Sequence, residues 1–320
     1  MNDITRKIYL CGIVPVIKIK NAENALPLAR ALLDGGLDVI EVTFRTSAAA
    51  QAISRISKEY PQMLVGAGTV LTRAQVDEAI EAGAKFIVSP GFNPDTVKYC
   101  ISKNVTVIPG CASCGEMEQA MALGLDTVKF FPAEASGGAA FLKAVSAPYK
   151  NLHFMPTGGI DAGNMMQYLS LPCVAACGGS FMAKEALIDA GDFTSITRCA
   201  ADAVHRMLGF EIKHVGINCD NAKEAANVSE KLCRLLGLLP DDRAGATFVG
   251  TLVEVMKSPF RGACGHIAIG TSNPDRARAY LEKLGFEFDE SSAKYDSAGR
   301  LNVIYLKNEI GGFAFHLAAK

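Results

Sequence analysis

Between Ile13 and Cys177 short apolar runs recur every 20 to 26 residues, and the stretches between them return apolar residues at helical spacing. The runs are Ile13 to Ile17, Val39 to Thr43, Leu64 to Ala67, Phe86 to Ser89, Thr106 to Pro109, Thr127 to Phe131, His153 to Thr157 and Val174 to Cys177. Strands alternating with helices predict a parallel sheet joined by crossovers, and eight short repeats fit a compact (β/α)8 TIM barrel better than an open doubly wound sheet. Ala200 to Phe210 reads as the barrel's last helix, running to Gly209. Beyond Glu211 the pattern changes and repeats itself. His214-Val215-Gly216-Ile217, a helical stretch from Ala222 to Leu236 and strand-like segments ending near Met256 form one half. His266-Ile267-Ala268-Ile269, the helix-like Pro274 to Leu284 and strands around Val303 to Leu306 and Phe313 to Leu317 form the other. The expected organisation is an α/β barrel over residues 1–209 and a smaller α+β domain over residues 210–320.

Side-chain parity along the strands locates candidate chemistry. In the second run Ile40, Val42 and Phe44 share one face, while Glu41, Thr43 and Arg45 share the other. In the sixth, Thr127, Lys129 and Phe131 share a face. A barrel filled for stability alone would carry branched apolar layers, so a glutamate, an arginine and a lysine converging on one lumen point either to catalysis or to an internal ion-pair cluster. Lys129 lies in the apolar run Val128-Lys129-Phe130-Phe131-Pro132. Burial disfavours a charged ammonium, and a neutral amine attacks ketones, so Schiff-base chemistry is one reading and a snorkelling or ion-paired lysine the other. Thr157-Gly158-Gly159-Ile160 and Gly178-Gly179-Ser180 are expected after strands seven and eight, where barrel loops often present backbone N–H groups to phosphate. Tight turns also need glycine, and only the two clusters together make the anion reading.

Composition narrows the class without naming a chemistry. At 49% hydrophobic and 20% charged residues with a net charge of −1, the chain is that of an ordinary folded protein, with neither nucleic acid nor a membrane expected as partner. No apolar stretch approaches the ~20 residues of a span, and Met1 to Leu10 lacks a signal-peptide core, which leads to a cytoplasmic expectation. Ten scattered cysteines fit reduced thiols; Cys111-x-x-Cys114 with Cys173 and Cys177 is too loosely spaced for a zinc framework.

Residues 8 to 208 resemble the 2-keto-3-deoxy-6-phosphogluconate and 4-hydroxy-2-oxoglutarate aldolases, class I pyruvate-dependent lyases. The resemblance rests on Val14-Pro15-Val16-Ile17, Ile40-Glu41-Val42-Thr43-Phe44-Arg45-Thr46, Gly66-Ala67-Gly68-Thr69-Val70, Ser89-Pro90-Gly91, Lys129-Phe130-Phe131-Pro132-Ala133-Glu134 and the two glycine clusters. It implies that Lys129 forms an imine, Glu41 transfers protons, Arg45 and Thr69 grip the pyruvyl carboxylate, and Pro90, Phe131 and Thr157 contact substrate. It further implies that Gly158, Gly159, Gly179 and Ser180 hold the distal phosphate or carboxylate, that no cofactor is needed, and that the barrels form a homotrimer acting on a small keto acid. The galactonate epimer is the alternative substrate. Residues 212 to 320 resemble the vicinal-oxygen-chelate superfamily of glyoxalase I and the bleomycin-resistance proteins, built of paired βαβββ modules. That resemblance implies a divalent metal (Zn, Ni, Mn or Fe) on His214, Glu254, His266 and His316, although a glutamate is more usual at the last position. The alternative is a metal-free sensor or assembly module.

Overall fold

The computed structural model describes residues 1–320 and divides into two compact units, Met1–Met207 and Leu208–Lys320. The first holds eight parallel strands: β1 (Ile13–Ile17), β2 (Val39–Thr43), β3 (Leu64–Gly68), β4 (Phe86–Val88), β5 (Thr106–Ile108), β6 (Thr127–Phe130), β7 (His153–Pro156) and β8 (Cys177–Gly179). Six run side by side in the order β5-β4-β3-β2-β1-β8, and β6 pairs with β7. Short backbone links close the ring. Lys129 N donates to Pro109 O at 2.9 Å and Cys111 N to Lys129 O at 2.7 Å, joining β5 to β6. Ala175 N donates to Phe154 O at 2.8 Å, and a parallel bridge pairs Thr157 with Gly178, joining β7 to β8.

The eighth strand corrects the sequence reading. Val174 forms an isolated bridge to Phe154, and the ladder with β1 is carried by Cys177, Gly178 and Gly179. Gly178 and Gly179 therefore lie in the strand rather than after it, and only Ser180 follows. Helices fill the outside of the ring, each burying its apolar stripe. Their starts are set by side chains that satisfy amides left free in a first helical turn. Asn93 caps Pro94–Ser102, with proline where no amide is needed, and Ser113 with Glu116 forms a reciprocal capping box on Cys114–Ala122. Phe86, Phe130 and Phe154, from three strands, are fully buried.

The second unit is one eight-stranded mixed sheet with two helices. Its strands are β9 (Glu211–Asn218), β10 (Pro240–Asp242), β11 (Ala246–Val249), β12 (Val253–Met256), β13 (Gly265–Thr271), β14 (Phe288–Tyr295), β15 (Leu301–Leu306) and β16 (Phe313–Ala319). The order is β10-β11-β12-β9-β13-β16-β15-β14. Each half is a βαβββ module whose first strand lies parallel to its own last one, and the modules meet where β9 runs antiparallel to β13. The helix Ala222–Leu236, capped by Asn221, covers Val249 and Val255 with Ala225, Val228 and Leu232. No helix in the chain is long and apolar enough to cross a membrane.

Removing the capping box should be felt in the barrel alone. Ser113→Ala is expected to lower barrel stability by about 1 kcal/mol, seen as a lower urea midpoint in the barrel's own unfolding transition; an unchanged midpoint would mean that water replaces the cap at no loss.

Candidate active site and a histidine cluster

The inward face of β2 carries Glu41 and Thr43, both buried, and β6 carries Lys129 opposite them. Lys129 Nζ donates to Glu41 Oε1 at 3.2 Å, with the two side chains 7% and 0% exposed, while Glu41 Oε2 is buried without a hydrogen-bond partner. The pair exists because Gly68, on neighbouring β3, has no side chain: a Cβ there would stand 2.1 Å from Glu41 Oε1. One oxygen of the buried carboxylate is thus on the amine, and the other is left open to a further hydrogen-bond donor. Lys129 Nζ also stands 5.5 Å from the centre of the Phe131 ring.

Phe131 opens onto a cavity of about 250 Å³ at the mouth of the barrel. Arg45, Thr157, Gly158, Gly159, Gly179 and Ser180 line it, so the structure gathers most of the residues anticipated from the sequence. Thr69 is not among the lining residues but supports one of them: Arg45 Nε donates to Thr69 Oγ1 at 3.3 Å, and Thr69 takes the unusual left-handed φ of 56°. Pro90 is also absent from the lining; its carbonyl packs against Gly110. Lys18 and Glu185 line the cavity and were not anticipated. Lys18 Nζ bonds Glu185 Oε1 at 3.0 Å, and Glu185 also holds Lys20 at 2.6 Å. The same parity that singled out Glu41 would have found Lys18, which follows Val16 by two residues on the inward side of β1.

In the second unit, the first and last strands of each module bring three donors together. His266 Nε2 lies 3.1 Å and His214 Nε2 3.3 Å from Glu254 Oε2, and the two imidazole nitrogens are 3.3 Å apart. Burial would raise the Glu254 carboxyl, but hydrogen bonds from His214 and His266 outweigh it and hold it down at about 2. His316 is outside this group of three, its ring centre 5.5 Å from each of the other two. Burial, together with the His266 and His214 rings, pushes His316 down to about 3, which keeps it neutral. The four residues lie at one end of a cavity of about 480 Å³ that also contains Phe260, Arg261 and Tyr305.

A closed parallel barrel with a buried lysine–carboxylate pair below an anion-sized cavity defines a class in which a barrel amine faces a small substrate. The family described as "Aldolase: KDPG and KHG aldolase" matches residues 4–199, and the chain belongs to it. The 2-dehydro-3-deoxy-phosphogluconate aldolase of Treponema pallidum is 50% identical over 185 residues, 58% of this chain and 88% of the relative. The KDPG aldolase of Legionella pneumophila, solved with pyruvate captured as a covalent carbinolamine, is similar with a TM-score of 0.62 at 39% identity, covering 63% of this chain and 98% of that one. The 2-keto-3-deoxy-6-phosphogluconate aldolase of Zymomonas mobilis, solved with 3-phosphoglycerate, gives 0.60 at 40% identity, covering 63% and 95%. The family match ends before the second unit begins.

Gly68→Ala tests the close approach. The added methyl must displace the Glu41 carboxylate, so turnover should fall by at least ten-fold while circular dichroism stays that of the folded protein; undiminished turnover would show that Glu41 has room to spare.

Proposed function

We propose that this chain is a class I aldolase that cleaves 2-keto-3-deoxy-6-phosphogluconate to pyruvate and glyceraldehyde 3-phosphate through a Schiff base on Lys129. The same chemistry cleaves 4-hydroxy-2-oxoglutarate to pyruvate and glyoxylate. The observation that carries the reading is the buried contact of 3.2 Å between Lys129 Nζ and Glu41 Oε1, a nucleophile and a proton carrier within direct reach. Lys129 attacks the C2 ketone, and loss of water leaves an iminium ion. Glu41 takes the C4 hydroxyl proton, the C3–C4 bond breaks, and its electrons pass to the iminium nitrogen, releasing the aldehyde and leaving an enamine. Glu41 returns a proton to C3, and water hydrolyses the iminium to free pyruvate and Lys129. The protonated imine is the electron sink, so the reaction calls on no metal.

The cavity supports the remaining roles. Arg45, steadied by Thr69, offers a planar fork to the pyruvyl carboxylate. Phe131 packs on the methylene, and Thr157 orients the imine region. Gly158, Gly159, Gly179 and Ser180 receive the distal phosphate or, in the shorter substrate, the distal carboxylate. We read the barrel as one protomer of a trimer on family resemblance, and the ten free thiols as those of a cytoplasmic enzyme.

The second unit supports a separate reading, a vicinal-oxygen-chelate-type domain holding one divalent metal on His214, Glu254 and His266. Donors bonded at ~2.0–2.1 Å around a tetrahedral metal stand about 3.3–3.4 Å apart, and the three atoms here are separated by 3.1 to 3.3 Å. Two imidazoles and a carboxylate suit Zn, Ni, Mn or Fe. Such a metal, held by these three residues, would supply Lewis acidity. His316 is the neutral imidazole beside it.

Pyruvate with borohydride should trap one covalent adduct on Lys129, located by peptide mass. Lys129→Arg retains the charge without the amine's nucleophilicity and should abolish cleavage; full activity would sink the mechanism. Glu41→Gln should leave adduct formation largely in place while slowing turnover by roughly 10²- to 10⁴-fold.

Elemental analysis of untagged full-length protein should give about one divalent metal per chain. His214→Ala and His266→Ala should each remove it and leave adduct formation at Lys129 unchanged. Protein that takes up none of the four metals on titration would leave the sensor or assembly reading in its place.

A further inference from the structure

The loop Thr157-Gly158-Gly159-Ile160 is tied down on one side only. Three successive carbonyls have partners: Ala133 N donates to Thr157 O at 2.8 Å, Glu134 N to Gly158 O at 3.1 Å, and Asn164 Nδ2 to Gly159 O at 2.9 Å. The amides of Gly159 and Ile160 that follow make no hydrogen bond within the protein, and both residues line the barrel cavity. A run of free amides behind bound carbonyls is the arrangement that receives an anion, provided that the peptide planes cannot turn over and present oxygen instead.

Glu134 and Tyr168 bear on that condition. The stem of Glu134 fills the space where a side chain at residue 159 would be: a Cβ there would lie 2.6 Å from Glu134 Cγ, and Gly159 holds a left-handed φ of 79°. The Glu134 carboxylate does not line the cavity, and the hydroxyl of fully buried Tyr168 donates to its Oε1. Asn164 is fixed in turn, since its Oδ1 accepts from Asp161 N at 2.9 Å while its own backbone N donates to Asp161 Oδ1 at 3.1 Å.

We propose that Glu134, Tyr168 and Asn164 are positioning residues that hold the Thr157–Gly159 carbonyls turned from the cavity and keep the following amides free for the distal anion of the substrate. Glu134 contributes its stem and an acceptor, and Tyr168 keeps the acceptor directed away from the incoming phosphate. The inference rests on the distal-anion reading above. It separates two properties that the pyruvyl end does not distinguish: affinity for a phosphorylated substrate depends on the clamp, and imine chemistry with pyruvate does not.

The test measures three quantities on the full chain: KM for 2-keto-3-deoxy-6-phosphogluconate, exchange of pyruvate methyl protons with solvent, and inhibition by inorganic phosphate. Tyr168→Phe, Asn164→Ala and Glu134→Ala should each raise KM and the inhibition constant for phosphate about ten-fold, equal to ~1.4 kcal/mol, with pyruvate exchange within about two-fold of the parent. Glu134→Gln keeps the stem and an acceptor for Tyr168 and should restore KM to near the parent value. Equal losses in exchange and KM, or an unchanged inhibition constant in the three disruptive variants, would overturn the inference. If phosphate fails to inhibit the parent protein itself, the distal-anion reading falls, and the clamp with it.

Discussion

Everything in the barrel is arranged around one contact, an amine and a carboxylate meeting in a nearly water-free interior. Neither side chain belongs there alone, because removing one partner of a buried pair typically costs 3–5 kcal/mol. Glu41 and Lys129 are 88 residues apart in sequence and approach to 3.2 Å only because the sheet closes. Closure at the β5–β6 seam is made by the backbone of Lys129 itself, which donates to Pro109 and accepts from Cys111. The Lys129 amine is thus positioned by the same hydrogen bonds that complete the ring. A loosened seam would move the amine and open the barrel together.

The site then divides along the substrate's length. At the closed end the groups are buried and paired, Lys129 on Glu41. At the open end the lining includes Gly158, Gly159 and Gly179 beside Ser180, and Lys18 is paired with Glu185. Backbone amides present partial charges that need no counter-ion and no desolvation of a full cation, so the two ends differ in which atoms they expose.

Much of this was legible in the residues. Polar side chains on alternate positions of an otherwise apolar run share the inward face of a barrel, and Glu41, Thr43 and Lys129 stand where parity put them. The misses have physical causes as well. β8 was displaced because Gly178 and Gly179 lack strand propensity, and the apolar Val174 to Cys177 outweighed them. β14 escaped notice because an exposed edge strand, Phe288–Tyr295, is polar and carries no alternation. Glu134 and Tyr168 lie 34 residues apart on a single 3₁₀ turn and a five-residue helix, with no periodicity to link them.

The second unit shows what a repeat accomplishes. A single βαβββ module contributes two functional positions, one on its first strand and one on its last, because those strands lie side by side. Pairing β9 with β13 brings the two sets to a common point, so four scattered residues converge with no long-range instruction beyond the strand pairing itself. The symmetry is broken at one place. Three donors close on one another within 3.3 Å, while His316 stands apart, buried and with its ring centre 4.5 Å from that of Tyr305 at a tilt of 37°. His316 nevertheless lines the same cavity as the three donors, so the departure from strict two-fold repetition leaves one imidazole beside the cluster rather than in it.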